Sequence, residues 1–174
     1  MSRMLLNMDL KQFHKFCDLR IEALNHALKG IPEQMVRYHI CWGSWHGPHV
    51  SDIPLKDVAP IILKVKAQGF SIESANPRHE HEWMVWKDQK FPEGKVIIPG
   101  VITHSTNVVE HPELVAWRVK NFASVVGREN VITGTDCGFA QGAMTQRVHP
   151  SIMWAKFQAM VEGATIASKE LWRK

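Results

Sequence analysis

Apolar and polar positions follow two alternating spacings along the chain, one typical of helices and the other of strands. Apolar residues at helical spacing predict helices over 9–28, 54–65, 112–126 and 150–172. Short β-prone runs between them predict strands at 35–41, 70–73, 95–98 and 130–133. A strand followed by a helix, repeated in this way, predicts a parallel α/β sheet.

The predicted loops differ in length and chemistry on the two sides of this sheet. Loops that follow strands are long and rich in His, Glu, Asn and Cys, whereas loops that precede strands are short. We therefore expect function at the carboxyl ends of the strands, in an open sheet or a (β/α) barrel. No linker or composition break divides residues 1–174, which predicts one domain, and four strands correspond to half of a barrel.

Charge and composition exclude several classes of protein. The formal net charge is +4, but the basic residues are scattered, so we expect no nucleic-acid partner. No apolar run reaches the roughly 18 residues of a membrane span, and the start of the sequence lacks a signal-peptide pattern. We therefore expect no membrane partner and a cytoplasmic location. Cys17, Cys41 and Cys137 are too few for a disulfide framework and are predicted to be thiols or metal ligands.

Four side chains at predicted strand ends have the chemistry of a zinc site. His39 and Cys41 are two residues apart and point to the same side of their strand, Glu73 ends the next strand, and Cys137 follows the fourth. One nitrogen, two sulfurs and one carboxylate suit zinc better than magnesium or calcium, and ligands from separate strands indicate a catalytic site. The alternative is structural, with Cys41 packed as a small hydrophobic residue and His39 hydrogen-bonded to backbone.

A second group of residues competes for the metal. His46, His49, His79 and His81 lie in two loops beside acidic residues, where they could instead bind substrate or stabilise a loop. Glu110 and His111 follow the third strand, and Glu110 is in place to cap the helix that begins at Pro112. Trp42 lies near these loops and could line a pocket.

Several segments together resemble a known family. They are HICWG at 39–43, IE at 72–73 and TDCGF at 135–139, with NPRHEHEW at 76–83, PGV at 99–101, NVVEHP at 107–112 and VGREN at 126–130. The first three resemble the carboxyl-terminal catalytic domain of the cobalamin-independent methionine synthases. The others are typical of the short single-domain branch that includes the epoxyalkane:coenzyme M transferases. The resemblance covers nearly the whole chain from about Asp9 onward.

This resemblance implies a (β/α)8 barrel, of which the chain would be the carboxyl-terminal half, with Zn²⁺ held by His39, Cys41, Glu73 and Cys137. The family alkylates a thiol whose pKa the zinc depresses. Glu73 is then the ligand expected to leave as the thiol arrives. Asp136 is expected beside the metal ligands or the substrate amine, and His104 or His111 is expected to give a proton to the leaving group.

The loop after the Glu73 strand is expected to face the zinc and bind substrate. Its candidate residues are Asn76, Arg78, His79 and Glu80, together with Trp42. The guanidinium of Arg78 could form two hydrogen bonds with a carboxylate or sulfonate group of the thiol substrate. The structural alternative is an ion pair within the loop.

The sequence therefore predicts a zinc-dependent thiol alkyltransferase. Methyl transfer from a donor such as methyl-tetrahydrofolate to a thiol such as homocysteine is the first possibility, and epoxide opening by coenzyme M or a similar thiol is the second. A non-catalytic zinc-binding fragment, or one subunit of a split enzyme, is the alternative of another class.

The half-barrel also predicts association with another chain. Four parallel strands leave two open edges, and the strand residues Val36, Tyr38, Ile72, Ile97 and Val131 are expected to point into an unfilled interior. We expect a homo-oligomer, or a partner chain that supplies the missing strands. The alternative is a flattened sheet covered by its own helices on both faces.

Overall fold

The computed structural model describes residues 8–43, 48–140, 142 and 146–173. Four strands form one parallel sheet in the order β1-β2-β3-β4: β1 Arg37–Ile40, β2 Gly69–Ile72, β3 Val96–Ile102 and β4 Gly134–Thr135. The α-helices are α1 Leu10–Ala27, α2 Leu55–Ile62, α3 Val85–Asp88, α4 Pro112–Val126 and α5 Pro150–Leu171. The sheet curls into half of a barrel, which confirms the predicted parallel α/β architecture. No described helix is long and apolar enough to cross a membrane.

Short sequence signals account for the helix ends. Asp9 caps α1 by accepting from the Gln12 backbone N–H at 2.7 Å, and the Gln12 side chain accepts in return from the Asp9 backbone N–H. His111 and His149 cap α4 and α5, each followed by a proline at the first helical position. Gly127 ends α4 at φ 90°, in the left-handed region that glycine adopts most easily.

The two faces of the sheet have different surroundings. Phe70, Ile72 and Ile97 have no exposed surface and belong to the hydrophobic core that also contains α2 residues. The opposite, concave face carries His39 and Ser71, which pair in register and lie within hydrogen-bond distance of each other. The expectation that Ile72 and Ile97 would point into the barrel interior is therefore wrong, and Val36, Tyr38 and Val131 likewise pack against this core. The side-chain period of two places these residues on the helix-covered face.

The fourth strand lies further along the chain than predicted. Pairing with β3 occurs at Gly134 and Thr135, and Val131 contributes an isolated bridge to Ile97. A Cβ at Gly134 would lie 2.8 Å from the Ile98 side chain, so glycine permits the close approach of β4 to β3. The predicted loop at 76–82 also contains the start of a short helical turn, Glu80–Met84, which leads into α3.

Candidate metal centre

Side chains from all four strand ends converge at the carboxyl edge of the sheet. His39 lies in β1, Cys41 and Glu73 directly follow β1 and β2, and His104 and Cys137 lie two residues beyond β3 and β4. The potential ligand atoms of His39, Cys41 and Cys137 all lie within 4.8 Å of one another, and so do those of Glu73, His104 and Cys137. Parallel strands bring their carboxyl ends to one edge, which explains the convergence of residues up to 98 positions apart.

The ring of His39 is oriented by a serine on the neighbouring strand. Its Nδ1 lies 2.9 Å from Ser71 Oγ, and its Nε2 lies 3.1 Å from Cys137 Sγ. A hydrogen bond at one ring nitrogen fixes which nitrogen faces a metal, here Nε2. The sequence analysis missed Ser71, although a polar residue two positions before Glu73, on the same face of an apolar strand, was a usable signal.

The cysteines form a site in which a thiolate is favoured. Hydrogen bonds from the Cys137 thiol and from His39 lower the pKa of Cys41 to about 4. The hydrogen bond to Cys41 in turn raises the pKa of His39, against the opposing effect of partial burial. Cys41 and Cys137 form no disulfide, and both are partly exposed. Deprotonated sulfur is the form that binds metal, so Cys41 is suited to be a metal ligand.

Glu73 is buried beside the cysteines. Its Oε2 accepts a hydrogen bond of 2.9 Å from the backbone N–H of Trp42, the residue after Cys41. Burial raises the pKa of Glu73 to about 7, and the Trp42 hydrogen bond opposes that rise. The Glu73 carboxylate therefore has a partner within the protein as well as a position next to Cys137 and His104.

Asp136 joins the strand end that carries Glu73 to the one that carries Cys137. Its Oδ1 accepts from the backbone N–H groups of Ser74 at 2.8 Å and Ala75 at 2.7 Å, and the residue is fully buried. Burial raises the pKa of Asp136 to about 6 in spite of these hydrogen bonds. The structure thus places Asp136 between the two ligand-bearing loops, enclosed by backbone.

The two candidate proton donors have different surroundings. His104 is 3% exposed, and neither of its ring nitrogens has a hydrogen-bond partner among the described residues. His111 is exposed and accepts from the Glu113 backbone N–H as the cap of α4, so the expectation that Glu110 caps this helix is wrong. Glu110 instead accepts from the Thr103 backbone N–H at 2.8 Å and pairs with the fully buried Lys156 at 2.9 Å, which fixes the backbone next to His104.

The side chains of the predicted substrate loop form hydrogen bonds and an ion pair within the protein. Asn76 Oδ1 accepts from the backbone N–H groups of Arg78 and His79, Arg78 donates to the Val50 carbonyl at 3.1 Å, and Glu80 pairs with Arg118 at 2.7 Å. Asn76 and Arg78 retain some exposed surface, and Arg78 is the more exposed of the two. The substrate-binding roles of Asn76, Arg78, His79, Glu80 and Trp42 stay predictions.

The competing histidine cluster does not form a metal group in the part of the chain that the structure describes. His49 and His79 both contact Asp52 Oδ2, at 2.8 and 3.2 Å. Neither of the two potential metal-binding groups found among the described residues includes a histidine of this cluster. His46 lies outside the described residues.

Two kinds of known enzyme are similar to this chain in sequence. 2-Hydroxypropyl-CoM lyase of Xanthobacter autotrophicus is 25% identical over 181 residues, which cover 90% of this chain and 46% of that protein. Methionine synthase of Saccharolobus solfataricus is 28% identical over 154 residues, which cover 88% of this chain and 40% of that protein. The chain is a homologue of these two kinds of enzyme. It spans less than half the length of these relatives. No protein-family model matches the chain.

A solved structure confirms the fold of this homologue. The B12-independent methionine synthase from Shewanella sp. W3-18-1, in complex with selenomethionine, superimposes with a TM-score of 0.67 at 22% identity. The match covers 87% of this chain and 43% of that one. The described sheet therefore corresponds to part of a larger enzyme fold of this kind.

The donor set at the strand ends fits zinc. Two sulfurs, an imidazole nitrogen and a carboxylate are the donors that Zn²⁺ binds in tetrahedral sites, whereas magnesium and calcium prefer oxygen alone. His39, Cys41 and Cys137 bring three of these donors together, and Glu73 lies next to Cys137.

Proposed function

We propose that this chain carries the metal centre of a zinc-dependent thiol alkyltransferase, with methyl transfer to a thiol such as homocysteine as its reaction. The observation that carries the proposal is the convergence of the His39, Cys41 and Cys137 ligand atoms within 4.8 Å, with Glu73 beside Cys137. The homology to methionine synthase and to 2-hydroxypropyl-CoM lyase supports a thiol-alkylating reaction.

His39, Cys41, Glu73 and Cys137 would hold the zinc. When bound there, Zn²⁺ would supply a Lewis acid that depresses the pKa of a substrate thiol, so that a nucleophile forms at neutral pH. Two thiolates and one carboxylate give this ligand set more negative charge than the metal neutralises. Glu73 would be the most exchangeable of these ligands, because the Trp42 N–H is available as a partner for its carboxylate.

The chain supplies two further groups to the reaction. His104 is our candidate for proton transfer to the leaving group, because it adjoins Glu73 and Cys137 while its ring nitrogens have no hydrogen-bond partner in the described structure. His111 is occupied as a helix cap. Asp136 is assigned to positioning, because it is fully buried and braces the backbone that follows Glu73.

Transfer of another alkyl group to another thiol is the second candidate. Similarity to 2-hydroxypropyl-CoM lyase favours epoxide chemistry with coenzyme M or a similar thiol. A non-catalytic zinc-binding fragment, or one subunit of a split enzyme, is the alternative of another class.

Turnover with added zinc tests the proposed function. The protein is incubated with homocysteine, coenzyme M or glutathione and with a methyl or epoxide donor, and thioether formation is measured by mass spectrometry. We expect thioether with at least one pair, and none with the Cys41→Ser, Cys137→Ser variant. Zinc binding without thioether from any pair would contradict catalysis by this chain and favour the fragment or split-enzyme alternative.

We further propose that the chain self-associates through the open edges of its sheet. β1 and β4 lie at the two edges of the described sheet. A parallel edge with unpaired backbone groups favours pairing with another chain.

Light scattering at micromolar concentration should therefore give a mass that is a multiple of 19.9 kDa. A monomer that unfolds cooperatively would contradict self-association. A monomer that gains mass only with a separate half-barrel chain would identify a partner of another sequence instead.

A further inference from the structure

Four buried residues next to the metal centre form a polar cluster. They are Trp42, Asp52, His79 and Glu82, and their exposed fractions are 2%, 8%, 4% and 7%. We call this group the His79 clamp. Buried polar groups need directional partners, so a cluster of this kind fixes the orientation of whatever it contacts.

His79 is held from both sides of its ring. Its Nδ1 lies 2.7 Å from Glu82 Oε2, and its Nε2 lies 3.2 Å from Asp52 Oδ2. Both nitrogens can donate to carboxylates at once only when the ring is doubly protonated. Burial opposes that charge, but the hydrogen bonds and charges of Glu82 and Asp52 outweigh it, and the pKa of His79 is raised.

The clamp is anchored to the rest of the fold at three further points. Glu82 Oε1 accepts from the Leu55 backbone N–H at 2.7 Å, at the first residue of α2. Asp52 also contacts His49 Nδ1 at 2.8 Å. The Trp42 indole N–H donates to the Ile53 carbonyl at 2.6 Å. Neither the imidazole nor the indole can shift without breaking one of these bonds.

Trp42 connects the clamp to Glu73. Its indole stacks on the His79 ring, with 4.1 Å between centroids and an angle of 21° between planes. A cationic ring on an indole face is an attractive arrangement. The backbone N–H of the same residue donates to Glu73 Oε2 at 2.9 Å, and Trp42 directly follows Cys41.

We propose that His79 is a positioning residue for Glu73, acting through its stack on Trp42, an inference that rests on the proposed metal centre. The clamp fixes the Trp42 backbone N–H, and this N–H fixes the carboxylate that faces Cys137 and His104. Partners that orient a metal ligand typically contribute 10- to 100-fold to metal affinity. Loss of the clamp should therefore weaken metal binding when Glu73 is a ligand, and should have little effect on metal binding when Glu73 is absent.

Cobalt binding to paired variants tests this inference. The dissociation constant for Co²⁺ is measured by competition with a chromophoric chelator in the full chain, for His79→Phe alone and for His79→Phe combined with Glu73→Ala. Phenylalanine keeps a ring on Trp42 but removes both hydrogen bonds. We expect His79→Phe to weaken binding about 10- to 100-fold when Glu73 is present, and less than about 2-fold in the Glu73→Ala background. The ligand-field absorption of bound cobalt should likewise change on His79→Phe when Glu73 is present and stay the same in the Glu73→Ala background.

The matched control is Phe122→Leu, a substitution at a core residue of α4 that is 2% exposed and lies outside the clamp. It should lower stability and leave cobalt affinity unchanged. If His79→Phe does not fold, Glu82→Gln carries the same comparison, since it retains an acceptor for Leu55 and removes the charge facing His79.

An equal loss of affinity with and without Glu73, or no loss at all, would overturn the positioning role and leave the metal centre standing. A wild-type chain that binds no cobalt would overturn both proposals.

Discussion

Replacing Gly100 with alanine should lower the free energy of unfolding by about 3 kcal/mol and weaken metal binding as well. A Cβ at Gly100 would lie 2.1 Å from Asp136 Oδ1 and 2.7 Å from the backbone N and Cα of Asp136. Because two of these three atoms are backbone, the strain cannot be relieved by a side-chain rotation. Asp136 must therefore move. Because its carboxylate is hydrogen-bonded to the backbone of Ser74 and Ala75, this movement should displace the strand ends next to Glu73 and Cys137.

Gly163→Ala is the matched control for this prediction. A Cβ there would lie 2.5 Å from Val115 and 2.6 Å from the Pro112 carbonyl oxygen, so overpacking is comparable but occurs between α4 and α5. Urea unfolding should show lower stability for both variants, whereas metal titration should show weaker binding for Gly100→Ala alone. Unchanged metal affinity in Gly100→Ala would show that the hydrogen bonds of Asp136 to Ser74 and Ala75 do not position the ligands.

Replacing Cys41 and Cys137 together with serine should remove nearly all bound zinc. These two sulfurs are half of the proposed ligand set, and the hydroxyl of serine does not ionise at neutral pH to replace a thiolate. We expect close to one zinc per chain in the wild-type protein and only a trace in the double variant, by elemental analysis after dialysis. Zinc-dependent stabilisation against thermal unfolding should disappear together with the metal.

The third cysteine provides the control within the same chain. Cys17 lies on α1 and packs against the hydrophobic core, so Cys17→Ser should keep its full zinc content. Full occupancy in the Cys41→Ser, Cys137→Ser variant would exclude this metal centre. Loss of zinc from a His81→Ala variant with both cysteines intact would instead place the metal in the histidine loops.

The sequence predicted those parts of the fold that local signals determine. The His111-Pro112 pair and Gly127 mark the two ends of α4, and the structure places α4 at Pro112–Val126 as predicted. Parallel strands bring their carboxyl ends to one edge of the sheet, and this rule also predicted that His39, Cys41 and Cys137 lie close together. The position of β4 was predicted wrongly, because the apolar run at 130–133 is a strong local pattern whereas pairing depends on the approach of Gly134 to Ile98.

The groups that orient the site could not be predicted in the same way. Asp52 and Glu82 both contact His79 because the segment at the start of α2 packs against the loop at 79–82. Asp52 and His79 are 27 positions apart, and no sequence pattern predicts a contact over that separation. The hydrogen bond between Ser71 and His39 depends on the register of β1 with β2. Two of these contacts still left a local signal: His79 and Glu82 are three residues apart, and Ser71 lies two residues before Glu73 on the same face of its strand.

The response of the cobalt-substituted protein to thiols tests whether the metal centre binds and activates a substrate thiol. Co²⁺ in place of zinc reports sulfur ligation through its charge-transfer absorption, and homocysteine, coenzyme M and glutathione are added in turn. We expect at least one thiol to raise this absorption in a saturable way, and we expect the Cys41→Ser, Cys137→Ser variant to show no such response. A protein that retains cobalt on both cysteines, yet gives the same spectrum at every concentration of every thiol, would contradict a thiol-activating metal centre.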